Sequence, residues 1–257
     1  MPELNGRPVT VDELQTLALA NYGSFTSMRV DDGRVRGLSL HLERLVRDSK
    51  ILFGSELDIG HVRELIRRVT PVDGSTTIRV TVFDPSTDLG HPDLASEPQI
   101  LVTQRPAGAL PLPPLAVRST LYTRDVPEVK SVGLFATLHH RRAARLKGYD
   151  DALFVDDEGV ISEGGTWNIG FFDGSQVIWP NAGALPGVTM RLLQRLHEHR
   201  TRRVTLPDVG TMRAAFATNA AIGVRAITRI DDTGFPADHP VLGILRKEYM
   251  NLPGEPV

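Results

Sequence analysis

Apolar and polar residues alternate along this chain with two distinct periods, and the change from one to the other marks out its elements. Over residues 39–53, Leu42, Leu45, Val46, Leu52 and Phe53 recur at helical spacing. This predicts an amphipathic helix with Ser39 as its N-cap, Gly54 as its stop and His41, Arg44 and Asp48 on a solvated opposite face. Residues 58–69 predict a second amphipathic helix and residues 11–20 a short one. Residues 23–30, 76–83 and 99–104 read as strands. Between the last two strands, residues 84–98 are rich in proline and acid, which predicts a mobile active-site loop. Residues 106–114 hold four prolines and cannot continue a helix or a central strand. The expected organisation is therefore a small N-terminal domain (1–105), a linker (106–114) and a larger C-terminal domain (115–257).

In the second region, residues 115–121 read as a strand. A helix is predicted over residues 131–147, with Val132, Phe135, His139, Ala143 and Leu146 as its buried stripe and Gly148 as its stop. On that stripe His139 reads as a core histidine. Strands dominate from there to about residue 179. Helices follow over 190–200 and 241–250, and strands over 213–217 and 224–230. One short stretch stands out. Glu163-Gly164-Gly165-Thr166-Trp167-Asn168 puts a carboxylate at the end of a strand, then a glycine pair, then a new apolar strand.

Composition narrows the function classes. The chain has 257 residues, 41% of them apolar and 23% charged, enough for a sizeable core in one or two domains. A formal net charge of −2, with arginine interleaved among acids, argues against nucleic acid or a membrane surface as the main partner. There is no cysteine, which excludes disulfides, thiolate metal sites and a cysteine nucleophile. No signal-like segment opens the chain and no apolar run approaches a membrane span, so a cytoplasmic location is expected. The eight histidines show no metal-ligand spacing beyond His139-His140 and His197-x-His199, which disfavours a metal enzyme.

Four features suggest one chemistry. Lys130 precedes a predicted helix, and Glu163 lies in a tight turn. Gly187-Val188-Thr189 is a glycine-containing turn at a helix N-terminus, where backbone N–H groups and the helix dipole favour a phosphate. Arg44 offers that phosphate a charge-assisted contact. A lysine, a carboxylate and a phosphate cradle together are what pyridoxal 5′-phosphate (PLP) requires.

With these residues in view the sequence resembles the class IV aminotransferases, the PLP enzymes of fold type IV, over nearly its whole length. The resemblance rests on His41-Leu42-Glu43-Arg44-Leu45; on Lys130-Ser131 through Gly148-Tyr149-Asp150-Asp151; on Ser162-Glu163-Gly164 through Asn168-Ile169; on Leu185-Pro186-Gly187-Val188-Thr189-Met190; and on Thr218-Asn219-Ala220-Ala221-Ile222-Gly223-Val224. It implies a two-domain α/β (α+β) fold with a small N-terminal domain and a larger mixed-β domain with helices. PLP would lie between the domains, with a partner subunit's loop completing the pocket, hence a homodimer. It also implies Lys130 as the Schiff-base lysine, Glu163 as the partner of the pyridine nitrogen, and Arg44, Gly187, Val188, Thr189, Thr218 and Asn219 as further cofactor ligands. Tyr22, Phe25, Thr26, Arg79 and Trp167 would face the substrate. Either Arg79 or His91 would meet its carboxylate.

The sequence also departs from the family pattern. Val132-Gly133-Leu134-Phe135 stands where many members carry Asn and often Tyr, and Met190 where Arg is usual. Phe25-Thr26-Ser27 and Ala220-Ala221-Ile222-Gly223 look more like the 4-amino-4-deoxychorismate lyase branch. The implied activity is transamination between an amino acid or amine and a 2-oxo acid. A pyruvate-eliminating lyase and a non-catalytic PLP-fold protein are the alternatives.

Overall fold

The computed structural model describes residues 2–94 and 96–257. The chain folds into two units. The first is Met1–Gly108, Val129–Gly133 and Pro253–Val257; the second is Ala109–Glu128 and Leu134–Leu252.

The first unit contains β1 (Glu3–Leu4), β2 (Arg7–Pro8), α1 (Val11–Ala20), β3 (Ser24–Asp31), β4 (Arg34–Val35), α2 (Leu38–Phe53), α3 (Ile59–Val69), β5 (Ser75–Phe83) and β6 (Gln99–Pro106). The second contains β7 (Leu115–Leu121), α4 (Phe135–Arg145), β8 (Asp151–Val155), β9 (Ile161–Gly164), β10 (Asn168–Phe172), β11 (Val177–Pro180), α5 (Val188–Leu196), β12 (His199–Arg202), a 3-10 turn (Pro207–Thr211), β13 (Ala214–Asn219), β14 (Gly223–Ile230), β15 (Thr233–Gly234) and α6 (Pro240–Asn251). A last strand, β16 (Glu255–Pro256), returns to the first unit.

In the first unit one sheet runs β16-β4-β3-β5-β6-β1-β2. Strand β3 pairs antiparallel with β5 from Ser24↔Val82 to Asp31↔Ser75, so alternate residues share a face. The apolar face of this sheet, including Met28, Val30, Ile78, Val80 and Val102, is covered by Leu38, Leu42 and Leu45 of α2 and by Val62, Leu65 and Ile66 of α3. The other unit's sheet runs β12-β11-β10-β13-β14-β7-β8-β9, with β15 attached to β14. Its core contains Val117, Leu153, Ile161, Trp167, Ile169, Phe171, Ala217 and Ile227.

Four local expectations change. Helix α2 starts at Leu38 after a left-handed Gly37, not after Ser39, whose N–H and hydroxyl bond to Glu255. Its polar face is not solvated: His41, Arg44 and Asp48 are all buried. Helix α4 starts only at Phe135, because the residues before it are held to the β3 edge, by the Ser24↔Ser131 bridge and by Val132 N–H donating to Gly23 O at 3.0 Å. Of the expected α4 stripe, Phe135, His139 and Leu146 face outward, while Val132, before the helix, is buried. Phe135 is 83% exposed and His139 is exposed, while Thr137 and Ala144 are buried. A hydrophobic period marks an apolar face without saying what covers it, and here the sheet side of the helix takes small residues. Among the described residues no helix is long and apolar enough to cross a membrane, and no group of side chains has the arrangement of a metal site.

Candidate active site

In the first unit the chemistry gathers around the middle turns of α2. His41, Arg44 and Asp48 are three and four residues apart, which places them on one side of the helix. Arg44 Nη2 donates to Thr26 Oγ1 on β3, and Thr26 Oγ1 lies 2.6 Å from His41 Nδ1. Arg44 Nη2 also lies 3.4 Å from His41 Nδ1, so that ring nitrogen has two polar neighbours, whereas Nε2 is buried with no hydrogen-bond partner. Burial, then the positive charges of Arg44 and Lys130, hold the His41 pKa well below its ordinary value, which keeps the imidazole neutral.

One helical turn on, Asp48 Oδ2 accepts the backbone N–H of Lys130 at 3.0 Å, and Arg47 donates to its Oδ1 at 2.8 Å. Burial raises the Asp48 pKa against the pull of these donors. The Lys130 segment is stitched to β3 on both sides. Phe25 N–H donates to Lys130 O at 2.9 Å, and Val132 N–H to Gly23 O at 3.0 Å. The lysine's backbone is therefore fixed by residues of the first unit, while Nζ lies 4.7 Å from the centre of the Phe25 ring. Arg79, on β5, stacks on the same ring with Cζ 3.6 Å from its centre, and its Nε donates to Thr81 Oγ1 at 3.3 Å. Burial and then Arg105 lower its pKa. Among the described residues no carboxylate forms a salt bridge with Arg79.

Tyr22 and His91 are two further expected participants. The Tyr22 hydroxyl donates to Leu52 O at 2.8 Å and its ring meets Phe53 edge-on. His91 is exposed, in a loop whose ends are tied together by Asp84. The Asp84 carboxylate accepts from the N–H and hydroxyl of Ser86, from Ser96 Oγ and from Glu97 N–H. Burial alone would raise its pKa, but these four donors outweigh it and hold the pKa below the ordinary value.

In the second unit Glu163 lies near the end of β9, is 3% exposed, and accepts from Arg124 Nε. The glycine pair after it serves packing. A Cβ on Gly164 would enter the Trp167 indole ring, and one on Gly165 would meet Arg141 and Asp151. Trp167 itself belongs to the core, and its Nε1–H donates to Asp151 Oδ2 at 3.0 Å.

Asn168 joins the remaining parts. It opens β10 opposite Thr218 of β13. Its Nδ2 donates to Leu185 O at 2.7 Å, and its Oδ1 occupies the space a Cβ on Gly187 would need. The loop before α5 is thereby held against β10. Gly187 is the N-cap of α5 and supplies no side-chain cap, so the first N–H groups of Val188 and Thr189 face outward from the helix end. Thr189 and Thr218 are fully buried, and each hydroxyl is without a hydrogen-bond partner. Two unsatisfied hydroxyls beside a helix N-terminus fit a phosphate. Asn219 is tied into the adjoining turn: its Nδ2 donates to Thr166 O, and its Oδ1 accepts from Ala221 and Ile222 N–H. Arg124 and Asn168 are not among the residues that the sequence singles out for the site. Asn168 stands in one of its motifs, but nothing in the sequence signals Arg124.

The family model for amino-transferase class IV matches residues 23–230. A probable branched-chain-amino-acid aminotransferase of Rickettsia bellii is 28% identical over 246 residues, covering 88% of this chain and 84% of its own. The fold is similar to that of the branched-chain aminotransferase of Thermoproteus uzoniensis solved with norvaline, with a TM-score of 0.85 at 20% identity over 97% of this chain and 93% of that one. It is also similar to a hypothetical aminotransferase of Mycobacterium tuberculosis in its PLP-bound form, with a TM-score of 0.81 at 17% identity over 97% of each chain. That protein has also been solved with α-ketoglutarate and PMP.

Proposed function

We propose, since this chain belongs to the class IV aminotransferases and is a PLP-dependent transaminase, that Lys130 and Glu163 carry its chemistry and that the substrates are an amino acid and a 2-oxo acid. Bound PLP supplies an aldehyde that carries the amino group and a ring that takes up electrons released at the substrate's α-carbon. Lys130 supplies the amine that engages the aldehyde. Its Nζ would also be the base that takes the proton from the substrate's α-carbon. The Asp48–Lys130 backbone bond and the Phe25 ring fix where that amine stands. Glu163 holds a proton on the ring nitrogen. Arg44, the N–H groups of Val188 and Thr189 and the hydroxyls of Thr189 and Thr218 hold the phosphate, and Asn219 holds the adjoining turn. Arg79, a half-buried cation without a salt bridge among the described residues, takes the substrate carboxylate.

The observation that carries this reading is the pair of buried, unsatisfied hydroxyls at the α5 N-terminus. The branched-chain names of the relatives favour aliphatic amino donors. The exposed Phe135, Leu138 and Leu146 of the α4 region favour assembly as a homodimer, which would elute at twice the chain's 28.2 kDa.

The test is the absorbance spectrum of purified protein, first with aliphatic amino donors and then with 2-oxo acids. The near-visible cofactor band should bleach with donor and return with acceptor, and Lys130→Ala should abolish it. A protein without the band even after added PLP refutes the reading. A band that needs no acceptor to complete turnover would make the enzyme a lyase.

A further inference from the structure

A buried carboxylate is ionised only if something compensates it; otherwise it takes up a proton. Glu163 is such a group, and Arg124 is a guanidinium bound to it. Arg124 follows β7, in a segment that continues the pairing with β8 through Tyr122 N–H to Val155 O at 2.9 Å. Its Nε engages Glu163 Oε1, and its Nη2 lies 3.5 Å from the carbonyl of Gly165. The planar fork thus spans the turn, touching the carboxylate before the glycine pair and the backbone within it. The neighbouring charges form a separate pair, with Arg141 Nε 2.9 Å from Asp151 Oδ1 and Trp167 Nε1–H on the other Asp151 oxygen.

We infer that Arg124 is a positioning residue: it keeps Glu163 ionised and its carboxylate fixed in orientation, so that Glu163 can hold a proton on the cofactor's ring nitrogen. The inference rests on the assignment of Glu163 proposed above. A neutral glutamic acid would present a hydroxyl or a weakly basic carbonyl to that nitrogen and would stabilise no positive charge there. A guanidinium does not lose its proton in the working range of an enzyme, so the compensation is constant. Because Arg124 binds one carboxylate oxygen through its side, it sets the plane of the group as well as its charge.

The experiment uses the full-length chain as wild type, Arg124→Met, Arg124→Lys, Glu163→Gln and the double variant Arg124→Met/Glu163→Gln. Infrared spectra of the cofactor-free proteins read the charge of Glu163 directly. Arg124→Met should gain a protonated-carboxyl band that is absent from wild type, from Arg124→Lys and from the double variant. With PLP loaded, Arg124→Met should lower kcat at least ~10-fold with little change in KM, as expected for an interaction felt in the reaction rather than in substrate binding. The double variant should be no slower than Glu163→Gln alone, since Arg124 acts through Glu163. Arg124→Lys should recover part of the loss. If Arg124→Met fails to fold, Arg124→Gln, neutral but still a hydrogen-bond donor, takes its place with the same expected band. An ionised Glu163 in the neutral variant, or losses that multiply in the double variant, would overturn the inference. A wild type that never binds PLP would instead overturn the cofactor assignment, and the infrared arm would still decide whether Arg124 sets the charge of Glu163.

Discussion

Thr189 and Thr218 show how much a single hydroxyl can say. A buried hydroxyl without a partner costs on the order of 1–3 kcal/mol, and each of these two is in that state. A phosphate would relieve both. Thr189→Val or Thr218→Val should therefore weaken PLP binding by about 10- to 100-fold, the factor for a hydrogen bond to a charged group. The polypeptide should meanwhile be as stable as wild type or slightly more so. Equilibrium dialysis with PLP, alongside a thermal melt of the cofactor-free protein, measures both.

His41 gives a second prediction at this scale. Its folded pKa lies well below the ordinary value of 6.5, mainly through burial. As pH falls below 6.5 the unfolded chain takes up a proton that the folded chain refuses. Stability is therefore full above that point and is lost as pH falls toward the folded pKa. Asp48 acts in the opposite sense. Its raised pKa means that its contribution is lost as pH rises above 3.8 through the folded value. Urea melts between about pH 5 and pH 7 should show wild-type stability falling toward acid, and His41→Asn should flatten that slope. An identical slope in the variant would remove His41 from the account.

At the scale of elements, polar contacts shape two segments. Residues 84–98 carry the proline and acid expected of a loop, and Asp84 there accepts from four donors, on Ser86, Ser96 and Glu97. Asp84→Asn weakens these bonds by removing charge and two acceptor positions. Amide exchange of Ser86 and Glu97 should then quicken by about tenfold or more, the equivalent of roughly 1.4 kcal/mol, while the exchange of β5 stays unchanged. Residues 131–133 have the pattern of a helix's first turn, but a hydrogen bond to Gly23 and a bridge to Ser24 keep them out of the helix. Both cases turn on polar contacts with residues distant in sequence, which a periodicity does not contain.

Across the whole molecule, the chain interleaves two units, and the five-residue segment carrying Lys130 belongs to the first although its flanks belong to the second. Any ligand that binds the folded chain alone stabilises it by mass action. PLP at about 100 times its dissociation constant should add roughly 2.7 kcal/mol to the free energy of unfolding. Lys130→Ala should lose most of that gain while melting normally without cofactor. Denaturant unfolding with and without PLP reads this directly, and an equal gain in Lys130→Ala would mean that the lysine is not what holds the cofactor.

The sequence by itself determined the kinds of chemistry present, the order of the motifs and most of the helices and strands. Those follow from residue type and from backbone periods that span only a few neighbours. It also marked Lys130, Glu163, Arg44, Thr189 and Thr218 as candidate cofactor residues. Only the tertiary structure decided what surrounds them. It buried the polar face of α2 and set Asp48 on the backbone of a lysine 82 residues away. It turned Phe135 of α4 outward, put Trp167 in the core, and brought Arg124 to a carboxylate 39 residues further along the chain. A charge reads as solvated in a sequence because burial and pairing are properties of contacts. Across such separations, contacts are fixed by the closure of the sheets and not by any local preference of the chain.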